Sequence, residues 1–183
     1  MLQHINGVII TDGSTTYNGL PVEPINFLTG IMGAGGDPAL IREVVYLVDS
    51  QSTFMPLPEH EVGDMLVAYV GVDRGENSVV TFGTGWTLQG HVASGSAQFH
   101  TEGWLYTKVA GVGEASPTLS LDNSPAVSVN GQGIIAVYRN VDTIEDSAAS
   151  LGGHLTSGFA VTGVTTTNDN SLVAVFATDR RSN

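Results

Sequence analysis

Beyond Gly63 the chain alternates short apolar runs with turn residues, and that rhythm predicts β-structure. Candidate strands are 64–72, 78–82, 86–93, 97–110, 116–122, 126–130, 133–140, 158–166 and 171–178, with Gly, Asn, Asp, Ser or Pro in most of the gaps. Many short strands without a convincing helix predict an all-β sandwich or barrel. Stretches 64–72, 133–139 and 171–177 are apolar at consecutive positions, so each is expected at the centre of a sheet or under a partner. In 86–93, Trp86, Leu88 and Val92 alternate with Thr87, Gln89 and His91, which places Trp86 on a core face.

Strand 97–109 carries the candidate chemistry. One face reads Ala97, Phe99, Thr101, Gly103, Leu105, Thr107, Val109; the other reads Gln98, His100, Glu102, Trp104, Tyr106, Lys108. Two aromatic rings share a face with hydrogen-bonding side chains. Such a surface stacks on a sugar or anchors a protein contact, which makes Trp104, Tyr106, His100 and Glu102 candidate ligand or interface residues. The alternative is a bulge at Gly103 that turns Trp104 into the core.

The first 60 residues have a different texture. Apolar pieces (Val8-Ile9-Ile10, Ile25-Asn26-Phe27-Leu28) are separated by Asp12-Gly13-Ser14, Asn18-Gly19, a glycine cluster over 30–36 and five prolines. Breakers at that density argue against a separate compact domain. Residues 1–60 therefore read as an extended arm ahead of a sandwich at 61–183, with Ile9, Tyr17, Phe27 and Leu28 as candidate anchoring residues. Asp37-Pro38 could open a helix, but Val44-Val45-Tyr46-Leu47-Val48 reads better as a strand.

Charge narrows the partners. Only 13% of the 183 residues are charged, about half the usual share, and the net charge is −12. A chain with six basic residues is a poor match for the phosphates of nucleic acid or for an anionic membrane. It has no cysteine, so disulfides and thiolate chemistry are excluded. The first residues lack the basic-then-apolar pattern of a signal peptide, which implies synthesis in the cytoplasm.

Catalytic signatures are weak. Gly131-Gln132-Gly133-Ile134-Ile135-Ala136 fits a loose dinucleotide pattern, but the β-branched residues after it predict a strand, where the pattern needs a helix. The sole lysine, Lys108, lies in a strand, so there is no phosphate-binding loop, and no Gly-x-Ser-x-Gly elbow occurs. None of His4, His60, His91, His100 and His154 pairs at a metal-ligand spacing, and no metal site is assigned. Asp142, Glu145 and Asp146 crowd one segment, and Asn168, Asp169 and Asn170 another; loop carboxylates can hold calcium, although Asp and Asn also simply favour turns. No catalytic residue is assigned and the chain reads as a non-enzyme.

Several stretches carry a resemblance: Gly63-Asp64-Met65-Leu66-Val67-Ala68, Gly85-Trp86-Thr87-Leu88, Trp104-Leu105-Tyr106-Thr107-Lys108-Val109-Ala110-Gly111, Ile135-Ala136-Val137-Tyr138-Arg139-Asn140-Val141-Asp142 and Asp169-Asn170-Ser171-Leu172-Val173-Ala174-Val175. Over Gly63 to Arg180 the chain resembles jelly-roll domains of bacteriophage virion proteins and some bacterial surface proteins. The resemblance implies a jelly-roll-like antiparallel β-sandwich in a virion component on the surface of a head or tail: a capsid decoration or cement protein, or part of a tail or fibre. It implies as partners other virion proteins (a major capsid or tail protein) and copies of the chain itself, usually as a homotrimer. A carbohydrate- or receptor-binding module of a tail or adhesin, meeting a host glycan, is the alternative. Domains of this look usually continue with another hairpin after the last matching stretch, so residues 1–60 or a neighbouring subunit are expected to complete the sheet by strand addition.

Overall fold

The computed structural model describes residues 24–32, 39–50, 52–73, 79–94, 101–122, 130–151, 163–166 and 171–179. Strands are numbered in chain order: β1 (Pro24–Met32), β2 (Ala39–Val48), β3 (Ser52–Phe54), β4 (Met65–Asp73), β5 (Val79–Phe82), β6 (Thr87–Ser94), β7 (Thr101–Val109), β8 (Thr118–Asp122), β9 (Asn130–Arg139), β10 (Thr143–Leu151) and β11 (Ser171–Asp179).

Strand β4 explains the architecture. It carries no charged side chain before Asp73, and Met65 through Tyr69 are all buried. Successive side chains point to opposite faces of a strand, so a sheet built on β4 must be covered on both sides. It lies at the centre of an antiparallel five-stranded sheet of order β2-β9-β4-β7-β6. On one face Met65, Val67, Tyr69, Leu105 and Ile134 pack with Ala174 and Phe176 of β11; the Tyr69 and Phe176 rings lie 5.9 Å apart. That cover is a three-stranded sheet, β10-β1-β11. On the other face Ala68, Val70, Val72, Trp104, Tyr106 and Ile135 pack with Phe82, Leu119 and Leu121 of a second three-stranded sheet, β3-β8-β5. The described residues are all-β, with antiparallel pairing throughout, consistent with a β-sandwich.

Several expectations shift. Stretches 64–72 and 133–139 are buried on both faces, but β11 is an edge strand that buries Ala174 and Phe176 and leaves Val173 exposed. Residues 24–54 supply β1, β2 and β3, one strand to each sheet, with β1 hydrogen-bonded on both sides. Pro24 fits because it begins its strand, and Gly30 because β1 changes register between Gly30 and Ile31. Residues 1–23 and the Asp37-Pro38 step lie outside the described residues, as do 97–100, 126–129 and 158–162; residues 163–166 form no strand.

Gly131 and Gly133 are both inside β9. A Cβ on Gly131 would stand 2.6 Å from the Gly71 carbonyl oxygen, and one on Gly133 2.4 Å from Cε of the buried Met55. Close packing across the sheet, not a phosphate, accounts for both glycines.

Candidate functional site

Glu102, Trp104 and Tyr106 alternate along β7 and share one face, as the two-residue period requires. That face is closed. Trp104 is 4% exposed, Tyr106 6% and Glu102 2%. Of the two readings the open platform does not form: this face is a wall of the core, because the sheet β3-β8-β5 covers it. Tyr106 stacks on Phe82 with centroids 4.9 Å apart, and burial pushes its hydroxyl pKa up to about 12.

The route by which Trp104 enters the core also differs from the bulge considered at Gly103. Pairing of β4 with β7 runs unbroken through Val70↔Trp104, Gly71↔Gly103 and Val72↔Glu102. The irregularity is one strand away, where β6 shifts register against β7 between Leu88 and Gly90. The shift puts His91 opposite Trp104, and Val92 packs into the core on the other side of the sheet. Leu88 is half exposed, and Trp86 is partly buried with its ring edge-on to Phe82, 5.0 Å between centroids.

His91 therefore lies against Trp104 and, through Nε2, 3.1 Å from Glu102 Oε2. The imidazole is 41% exposed while the carboxylate is sealed beneath it. The contact pins the β6 edge to the core. Nothing in the phase of 86–93 marked His91, because the bulge reverses that phase. Of the other sequence candidates, Ile9, Tyr17 and His100 lie outside the described residues, and Phe27 and Leu28 lie in β1.

A shallow groove of about 420 Å³ opens where β6 and β7 approach the start of β10. Met65, Val109 and Ile144 give it apolar surface, and Thr87, Asp142 and Thr143 add hydrogen-bonding groups. Gln89 Nε2 donates to Thr107 Oγ1 at 2.7 Å on its wall. Lys108 also lines it, but its ammonium is engaged by the Thr84 carbonyl (2.9 Å) and Glu114 Oε1 (2.5 Å). The groove joins residues from distant stretches, so no local pattern signals it.

The acidic segment proposed as a calcium loop is a strand over most of its length. Glu145 and Asp146 are neighbours on β10 and so point to opposite faces. Glu145 accepts from Ser171 Oγ at 3.0 Å and Asp146 from the Thr165 amide at 3.0 Å. These carboxylates do not converge with Asp142 on one point. Asn168, Asp169 and Asn170 lie outside the described residues.

The surface feature that stands out is β2. Leu40, Ile41, Val45 and Leu47 are 47%, 44%, 38% and 68% exposed, on a strand that ends the five-stranded sheet. Tyr46 and Val48 pack into the core on the opposite face, where the Tyr46 hydroxyl donates to the Pro56 carbonyl. A scan against protein-family models finds no match, and searches of the curated proteins and of the solved structures find none either.

Proposed function

We propose that the chain is a non-enzymatic virion structural protein with a jelly-roll-like sandwich, acting as a decoration or cement protein on a phage head. The observation that carries this reading is the inversion of its surface. The aromatic side chains that could form a ligand platform are buried, whereas aliphatic side chains crowd an exposed sheet edge at β2. Apolar edges of this kind mark protein contacts. The strand path supports the jelly-roll assignment: from β2 to β9 the chain passes repeatedly between the five-stranded sheet and the sheet β3-β8-β5. Because β1 is hydrogen-bonded on both sides, the reading assigns attachment to residues before Pro24 and not to Phe27 and Leu28.

The test is the composition of purified virions. Particles from the strain that encodes the chain should contain it at a stoichiometric level, and the purified full chain should co-sediment with heads. Co-sedimentation with tails instead moves the reading to a tail component, and absence from particles overturns it. A second reading, a glycan-binding module, rests on the groove beside Thr87 and Asp142 and no longer on Trp104 and Tyr106. Glycan-array binding lost in Thr87→Val would support it, and a blank array would remove it.

A further inference from the structure

We propose that β2 pairs antiparallel with β2 of a second copy across a two-fold axis, so that two five-stranded sheets join into one of ten strands. The inference deepens the reading of β2 as a contact surface and names its occupant.

The two edges of the five-stranded sheet are built differently. At one edge β6 presents Thr87, Gln89 and His91, and β10 packs beside it, with Ser147 Oγ donating to the Gln89 carbonyl at 3.4 Å. At the other edge β2 runs for ten residues and, among the described residues, is paired on its β9 side alone. Sheet edges are normally blunted by lysine, proline, inward charge or bulges. Strand β2 has no lysine or proline, and its one irregularity, between Leu40 and Arg42, leaves Arg42–Val48 in continuous register with β9. Its exposed side chains are mostly aliphatic.

A second copy fits this edge for two reasons. An antiparallel strand edge is its own complement under two-fold rotation, and the new pair continues the antiparallel order of β2, β9 and β4. Charge points the same way. The chain carries −12, so most face-to-face contacts between copies would repel. Within β2 the charges are one Arg42 and one Glu43, and Arg42 also meets Glu59 at 3.4 Å. Two copies can meet at β2 without bringing net charge together, whereas a basic partner would be drawn to the acidic remainder of the surface.

In the pair, the exposed aliphatic side chains of the two β2 strands come together, with Val45 of each copy beside its own buried Ile134. The contact is one strand wide and falls below the roughly 800 Å² per partner of a standard stable interface. The dimer is therefore of micromolar class and depends on concentration.

Sedimentation velocity on the full chain from about 1 to about 200 µM tests it. The mass should rise from 19.1 kDa towards twice that value. Val45→Lys together with Leu47→Lys should hold it at the monomer with unchanged circular dichroism. Because the chain has no cysteine, a scan of Glu43→Cys, Val44→Cys and Val45→Cys locates the axis: one of the three should give a disulfide-linked dimer under mild oxidation. Phe54→Cys, exposed on β3, should not. A single monomeric mass across the range, a trimer, or masses and crosslinks indifferent to these positions overturns the pairing. A monomer found in virions removes the β2 contact and leaves the virion reading standing; a dimer absent from virions does the reverse.

Discussion

His91 lies flat on Trp104, with ring centroids 4.9 Å apart and planes 13° from parallel. The relationship follows from register. The shift in β6 brings the imidazole to the face of the sheet that holds the indole and sets the two residues directly opposite. Of the pair, the imidazole is partly exposed and the indole is buried.

Removing that ring should uncover the indole. His91→Ala is expected to raise acrylamide quenching of Trp104 fluorescence, measured in a Trp86→Phe background, and to cost about 0.5–1.5 kcal/mol, the usual worth of a stacked pair. Trp104→Ala should cost about 3–5 kcal/mol, because the side chain is buried and leaves a cavity. Quenching of Trp104 as strong as that of free indole would show that the face is open after all.

The two glycines of β9 should differ in how badly they take a methyl group. At Gly131 the added carbon meets the Gly71 carbonyl oxygen, which is backbone and cannot step aside. At Gly133 it meets the end of the Met55 side chain, which can turn. Gly131→Ala is expected to cost about 1–3 kcal/mol by overpacking, and Gly133→Ala less. Urea midpoints compare them directly; equal losses would mean that Met55 is as rigid as the backbone.

Burial on both faces was legible in β4 and β9, because a run without polar residues has no solvent side to offer. At β11 the same pattern lies on an edge strand with Val173 exposed, so of its two expected places, sheet centre and under a partner, the first does not hold. Strands β1 and β10 were missed for opposite reasons. β1 contains Pro24 and Gly30, which read as breakers until the structure puts one at a strand start and the other at a bulge. β10 contains Glu145 and Asp146, which read as a turn, but Ser171 and Thr165 on other segments donate to these carboxylates within a strand. The Trp104 face was legible as a pattern of residues but not as buried, because nothing local says that a second sheet lies over it. Likewise His91 gains its place from a one-residue register shift, a choice made between strands.

Acid should weaken the fold through Asp64. This carboxylate is 3% exposed and meets the Arg139 Nε and Nη2 groups at 3.0 Å each, while its Oδ2 also accepts from the Glu61 amide at 2.7 Å. The hydrogen bonds from Arg139, more than any other cause, hold its pKa below the usual 3.8. A folded pKa below the unfolded one means that the unfolded chain binds the proton first. The stabilisation is therefore complete above the unfolded value and is lost as pH falls through the folded one. Asp64→Asn should remove that slope below about pH 4 and cost about 1–3 kcal/mol at neutral pH, as expected for hydrogen bonds to a buried charge. Thermal melts between pH 7 and about pH 2 measure both effects, and an unchanged slope in the variant would assign the acid sensitivity elsewhere.

Base should weaken the fold through its tyrosines. Burial raises the Tyr106 pKa from 10.0 to about 12, and raises that of Tyr138 as well, with a smaller push from the Glu43 charge. For a group that is neutral when protonated, a raised folded pKa favours the protonated native state. The stability is thus complete below pH 10 and is lost as pH climbs through the folded value. Urea midpoints should hold steady to about pH 10 and then fall. Tyr138→Phe should flatten the decline, because it removes one of the ionisations that favour the unfolded chain. Tyrosinate absorbance of the native protein, compared with a Tyr106→Phe variant, should place the Tyr106 ionisation near pH 12 or at the unfolding transition if that comes first. Ionisation of Tyr106 near pH 10 in a chain that remains folded would contradict its burial against Phe82.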